Sequence, residues 1–140
     1  MQVTATTLSF TVRDVAPSRD FLVRHFGFQQ IMADADGNFA SLGREDVGAT
    51  IIFLRMGCEV LPIGYRYHHA AGVILALTVS GLAAEEQRLR AEGVKITLPL
   101  QEEPWGERLF QVTDPNGVIV QLVEWVEPAG EAGGASHAHN

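Results

Sequence analysis

Hydrophobic and polar residues alternate along Leu8-Ser-Phe-Thr-Val12, the period of two expected of a strand. From Val15 to Phe26 the spacing becomes helical, with Phe21, Leu22 and Phe26 on one side. Gly27 then offers the left-handed stop that a helix C-terminus favours. The same succession returns 67 residues later in Leu75-Ala-Leu-Thr-Val79. A second helical pattern covers 82–92, with Leu82 and Leu89 seven apart and Gly93 behind it. Phe28 and Val94 open the next strands. Shorter strands are expected at 38–42 and 108–113, and Gly48-Ala-Thr-Ile-Ile-Phe-Leu54 matches Gly117-Val-Ile-Val-Gln-Leu-Val123 at an offset of 69. The turns between them are polar or carry glycine.

The pattern reads strand-helix-strand-strand-strand, twice. It predicts an α+β fold of two βαβββ modules in tandem, with curved, mostly antiparallel sheets and the helices outside. The expected organisation is a single domain, 1–127, with modules at about 4–55 and 73–126, a linker at 56–72 and a disordered tail at 128–140. Alternation sends Leu8, Phe10 and Val12 of the first strand to the helix, and Leu75, Leu77 and Val79 of the fifth. Thr7, Ser9 and Thr11, and Ile74, Ala76 and Thr78, are left to line a trough. The trough side is smaller and more polar in both copies, as a cavity wall differs from a core.

Composition narrows the function classes. The chain has 140 residues, 46% of them hydrophobic, enough for a real core. No apolar run approaches the roughly 20 residues of a membrane span, and the N-terminus lacks the pattern of a signal peptide, so a cytoplasmic protein is expected. A net charge of -7 argues against nucleic acid or anionic lipid as partner. Cys58 is the sole cysteine, which excludes an intrachain disulfide and a cysteine-built zinc site. No nucleophile elbow and no glycine-rich phosphate loop occurs. Glu102 and Glu103 read as a solvated acidic loop. His25, His68, His69, His137 and His139 read as surface or capping residues.

The doubled unit, the Thr-Val-Arg-Asp-Val and Leu-Thr-Val-Ser-Gly-Leu openings, and Pro104-Trp-Gly-Glu-Arg-Leu-Phe-Gln-Val-Thr-Asp-Pro-Asn-Gly117 together resemble the glyoxalase, bleomycin-resistance and dioxygenase superfamily, also termed vicinal-oxygen-chelate. The likeness runs from about Leu8 to Trp125 and is nearest in character to the metal-free drug-binding resistance proteins. Enzymes of that superfamily hold a divalent metal at four trough positions, which the resemblance carries onto Thr7, Ile52, Ile74 and Gln121. Two aliphatic side chains, a hydroxyl and a neutral amide are poor ligands beside imidazole or carboxylate. No metal and no cofactor is expected.

The resemblance also implies a homodimer whose modules face each other across a cleft, with Trp105 stacking on the ligand. Alternation adds Leu109, Gln111, Gln121 and Trp125 to the trough. Phe39 and the Tyr65 and Tyr67 pair are candidate further walls, Phe39 and Trp125 being equally readable as core or interface. With Thr7, Ser9, Ile52 and Ile74, this describes a site for a planar, polar-decorated molecule. The expected function is sequestration of an aromatic or polycyclic antibiotic. The alternative is a metal-dependent lyase, isomerase, dioxygenase or thiol transferase of the superfamily, and a regulatory or flavin-type module is not separated from the first reading.

Overall fold

A computed structural model describes residues 1–126; the expected tail, with His137 and His139, lies outside the described residues. The elements follow the doubled grammar. The first module contains β1 (Thr7–Val12), α1 (Val15–Phe26), β2 (Gln29–Ala33), β3 (Phe39–Gly43) and β4 (Thr50–Arg55). The second contains β5 (Ile74–Thr78), α2 (Leu82–Ala91), β6 (Ile96–Glu102), β7 (Glu107–Thr113) and β8 (Ile119–Trp125). Each module forms a mixed four-stranded sheet, in the orders β1-β4-β3-β2 and β5-β8-β7-β6. The first and last strands of a module pair in parallel, and the other pairs are antiparallel. Among the described residues no helix is long and apolar enough to cross a membrane.

Contacts divide the chain into two compact units. One comprises Met1–Gly72 together with Asp114–Val118; the other comprises Val73–Thr113 and the chain from Ile119 onward. The turn between β7 and β8 therefore belongs with the first unit, although its flanking strands do not.

In the first unit, α1 packs on β3 and β4, and Phe10, Val12, Leu22, Phe26, Phe28, Leu42, Ile51 and Phe53 form the core. Full burial of side chains of this size contributes about 1.5–3 kcal/mol each. Leu8 departs from the expected alternation: it is 45% exposed, because it lies near the start of the edge strand β1 and only Phe10 and Val12 are fully covered. Gly27 takes φ 69° and ends α1. A Cβ there would come within 2.5 Å of Arg44 Nη1, which donates to Phe26 O at 2.6 Å. Glycine is thus required by the left-handed turn, and a Cβ would also displace the guanidinium that closes the helix end.

α1 has no side chain of its own capping its start. The Asp114–Val118 segment is bonded to that end of the helix instead. Ser18, fully buried in α1, donates to Asp114 Oδ2 at 2.5 Å, and Asp114 Oδ1 accepts the backbone N–H of Asn116 and of Val118, both at 2.8 Å. Asn116 Nδ2 donates to Asp14 O and to Ser18 Oγ, both at 2.7 Å. Every buried oxygen of the cluster has a donor, as a carboxylate out of water requires. The Asp-Pro-Asn-Gly motif, among the most recognisable stretches of the sequence, is a structural clasp on α1.

In the second unit, Leu82 and Leu89 of α2 cover Leu75, Phe110, Val112, Val120 and Leu122. Only those two helix residues are buried, so α2 depends more on its ends. Glu124, reaching from β8, accepts the N–H of Gly81 at 2.9 Å and of Leu82 at 3.2 Å, which places a carboxylate at the positive end of the helix.

Candidate functional site

Strand pairing decides which side chains stand together on the sheet face turned away from each helix. In the first unit, one row runs Ser9, Ile52, Ser41 and Met32 across β1, β4, β3 and β2. A second row joins Thr11, Leu54 and Phe39, and Thr7 pairs with Thr50. Thr7 and Ser9 are exposed, Ile52 and Phe39 half-buried, and Ser41 buried. Asp34 orders the turn before β3: its Oδ1 accepts from the backbone N–H of Asn38 at 2.8 Å and of Phe39 at 3.2 Å. Tyr65 and Tyr67 lie off this sheet, in the connection that includes the 3-10 turn Ile63–Tyr65, and both are exposed. Tyr65 meets His68 edge to face at 6.4 Å.

In the second unit the corresponding face has different chemistry. From one end of the strands to the other, the rows are Trp125 with Glu107; Thr78, Val123, Leu109 and Gln101; Ala76, Gln121, Gln111 and Leu98; and Ile74, Ile119 and Thr113. Leu109 and Val123 are buried, Gln111, Gln121 and Trp125 half-buried, and Ile74 exposed. Gln111 and Gln121 are directly opposite one another, and Gln111 Nε2 donates to Gln121 Oε1 at 2.7 Å. Thr97 and Thr113 share a hydroxyl-hydroxyl bond of 2.9 Å beside them.

Trp105 stands in the β6–β7 turn with 62% of its surface exposed, and its Nε1 donates to Glu107 Oε1 at 3.0 Å. Gly106 explains why the turn can hold it there. Its φ is 94°, and a Cβ would meet Val126 O at 2.5 Å. Only glycine lets the turn close against the end of β8, where Val126 N donates to Gly106 O at 2.8 Å. Trp105, Glu107 and Trp125 consequently gather at one end of the second sheet.

Of the sequence-predicted residues, the structure brings Leu109, Gln111, Gln121, Trp125 and Ile74 onto one face, with Trp105 at its rim. It brings Thr7, Ser9, Ile52 and Phe39 onto the face of the other sheet. Tyr65 and Tyr67 lie in the connection between the modules, on no strand of either sheet. Alternation read from Leu109 passed over Glu107, two residues earlier in the same strand phase. Its position two residues after a turn tryptophan was the available signal. A surface depression of about 630 Å³ in the first unit, lined by Gly27, Gln29, Gly43, Arg44, Glu45 and Asp46, includes none of the predicted residues. Its charges satisfy each other: the Arg44 guanidinium, bonded to Asp46 Oδ1 at 2.6 Å, holds that carboxyl below its usual range.

The four positions that would hold a divalent ion do not suit one. Thr7 and Ile52 in the first unit, and Ile74 and Gln121 in the second, supply neither imidazole nor carboxylate. The Gln121 carbonyl oxygen, the best donor of the set, already accepts the Gln111 amide. Among the described residues no three His, Cys, Asp or Glu side chains converge.

The model of the glyoxalase/bleomycin resistance protein/dioxygenase superfamily matches residues 4–122. Similar solved structures include TioX from Micromonospora sp. ML1, 27% identical, with a TM-score of 0.67 over 89% of this chain and 100% of that one. TnmS3, an antibiotic binding protein from Streptomyces sp. CB03234, is 20% identical, with a TM-score of 0.68 over 90% of this chain and 99% of that one. A lactoylglutathione lyase from Agrobacterium tumefaciens is 12% identical, with a TM-score of 0.70 over 88% and 94%. The last two likenesses concern the fold alone. No curated protein matches the sequence.

Proposed function

Because the chain belongs to the glyoxalase/bleomycin resistance protein/dioxygenase superfamily, we propose that it is a binding member of that superfamily: a cytoplasmic homodimer that sequesters an aromatic or polycyclic antibiotic without a metal and without turnover. The observation that carries this reading is the chemistry of Thr7, Ile52, Ile74 and Gln121. A metal-dependent member needs lone pairs where this chain has the sec-butyl groups of Ile52 and Ile74 and an amide already engaged by its neighbour. The remaining features of the second sheet suit binding. An exposed tryptophan offers a stacking surface, Leu109 and Val123 offer an apolar belt, and neutral amides offer hydrogen bonds without burying an unpaired charge. Among the proteins that share this fold is an antibiotic binding protein, TnmS3, so the fold accommodates such a use.

The test is a fluorescence titration of purified protein with anthraquinone antibiotics and flavins, followed by mass spectrometry of the recovered ligand. The expected result is saturable quenching at one ligand per cleft and return of the ligand chemically unchanged. Conversion of the ligand overturns sequestration. Metal analysis should find no stoichiometric ion, and added Zn, Ni, Mn or Fe should leave the melting temperature where it was, since a metal bound only by the folded state would raise it. Light scattering should give twice the monomer mass; a monomer at micromolar concentration contradicts the dimer.

A further inference from the structure

We propose that the Gln111–Gln121 pair is a preorganised donor–acceptor clamp, and that the ligand carries an N–H and a C=O side by side on one edge of a fused ring system: a lactam, an imide or an equivalent edge. The proposal rests on the binding reading above and names the chemical class of its ligand.

Each primary amide has one acceptor oxygen and one donor nitrogen. In the pair, one N–H and one oxygen lone pair are used by the 2.7 Å bond. What stays wholly unbonded is the carbonyl oxygen of one glutamine and the NH2 group of the other. This holds whichever amide is the donor, so the choice between amide orientations does not alter the outcome. Neither remaining atom has a partner among the described residues, and neither side chain is fully enclosed. The two groups stand on adjacent antiparallel strands at directly paired positions, where Cβ atoms are about 4.5–5.5 Å apart. A cyclic amide presents its N–H and C=O on one edge, so its two hydrogen bonds can diverge to groups on paired strands. Because the amides already hold each other, little side-chain freedom remains to be lost when the ligand docks.

The surroundings select the rest of the molecule. Ala76, the partner of Gln121 on the other side, is the smallest side chain in the row and leaves room for a ring against the sheet. From Glu107 to Gln111 the strand advances four residues, roughly 13 Å at the usual rise. A molecule that reaches the clamp and stacks on Trp105 has to span about that length, which an extended fused polycycle does without loss of internal freedom.

Three tricyclic probes of one shape test this on the intact protein. Phenanthridinone has the N–H and C=O edge, its N-methyl derivative lacks the donor, and aminophenanthridine in its protonated form presents two donors. Wild-type protein is expected to bind the lactam about threefold to tenfold more tightly than the N-methyl compound, the effect of one hydrogen bond. Gln121→Glu accepts from Gln111 and turns the clamp into two acceptors. It should lose the lactam preference and favour the aminophenanthridinium. Gln111→Met should bind lactam and N-methyl lactam alike, with circular dichroism reporting an intact fold. If wild type binds the lactam and its N-methyl derivative equally while tryptophan is quenched by both, the clamp is wrong and the binding reading stands. If no tricycle binds while an anthraquinone or flavin does, the clamp is wrong and the binding reading stands; if nothing in either panel binds, both fall. An unchanged lactam preference in Gln121→Glu also overturns the clamp.

Discussion

Ser9–Ile52–Ser41 in the first sheet and Ala76–Gln121–Gln111 in the second are the same row of the same architecture. Parallel pairing of the outer strands and antiparallel pairing of the inner ones set both. Yet the first row offers hydroxyls around an isoleucine, and the second a bonded pair of amides beside an alanine. The turns that lead into the third strands differ likewise. The first orders Phe39 through Asp34, and the second displays Trp105 through Gly106 and Glu107. On the helix side the modules remain alike, each with large apolar residues fully covered. Duplication has preserved what holds the sheets to their helices, and divergence has collected on the opposite faces. The exposed tryptophan and the paired amides of the proposed site are concentrated in the second module.

The largest effects should respect the likeness. Phe53 is 1% exposed and Phe110 is fully buried, each on the helix side of its sheet. Either residue changed to Ala should lower unfolding free energy by about 3–5 kcal/mol, the usual cost of deleting a buried aromatic ring. Urea unfolding monitored by circular dichroism measures it. A cost under 1 kcal/mol in one module alone would mean that its core is not the packed unit described above.

Binding should break the likeness. Trp105→Ala is expected to weaken the ligand by about 2 kcal/mol or more, roughly thirtyfold, as loss of a central stacking tryptophan commonly does. Its melting temperature should hardly move, since the side chain is mostly exposed. Phe39→Ala, at the corresponding edge of the first sheet, should change affinity several times less. Calorimetry on both variants decides it. If Phe39→Ala costs as much as Trp105→Ala, recognition is shared between the faces.

A third effect concerns the clasp. Ser18→Ala removes the donor to Asp114 Oδ2 and leaves a buried carboxylate oxygen unsatisfied, which should cost about 1–3 kcal/mol in thermal unfolding. Binding by folded protein should be unchanged, because neither residue belongs to the second sheet's open face. Parallel loss of affinity in the folded variant would tie the clasp to the site.

Much of this architecture was legible because short-range rules produced it. The bounds of α1 followed from apolar spacing and Gly27, and the repeat offsets of 67 and 69 reappear as matched strand registers. Leu109, Gln111, Gln121 and Trp125 were placed on one face by alternation alone. Long-range polar contacts were not legible. Nothing local marks Ser18 as the partner of Asp114, 96 residues away, or Glu124 as the cap of α2. Position 111 was readable as a trough glutamine, but its bond to Gln121 depends on strand register. Tyr65 and Tyr67 were grouped with the walls because aromatic residues in a linker carry no periodicity that assigns a face.

The smallest expected effect separates the modules by acid. Asp34 is drawn upward by partial desolvation, but the N–H groups of Phe39 and Asn38 and the Asn38 side-chain amide outweigh this and hold its carboxyl below the usual range. A carboxylate favoured by the folded state stabilises it above the ordinary carboxylate pKa, and that contribution disappears as pH falls through the lowered folded value. Asp34→Asn should therefore be slightly less stable than wild type at neutral pH. The two melting curves should converge only once the pH has fallen through the lowered folded value, where Asp34 in wild type also becomes neutral. The matching turn of the second module is closed by Glu103 N to Glu107 O at 2.7 Å and Gly106 N to Glu103 O at 3.0 Å, backbone bonds that do not titrate. Amide protection at Phe39, relative to its intrinsic exchange rate at the same pH, should fall in acid and in Asp34→Asn, while protection at Gly106 stays as it was between wild type and variant. Equal acid sensitivity of the wild-type and Asp34→Asn curves would show that the Asp34 turn makes no such contribution.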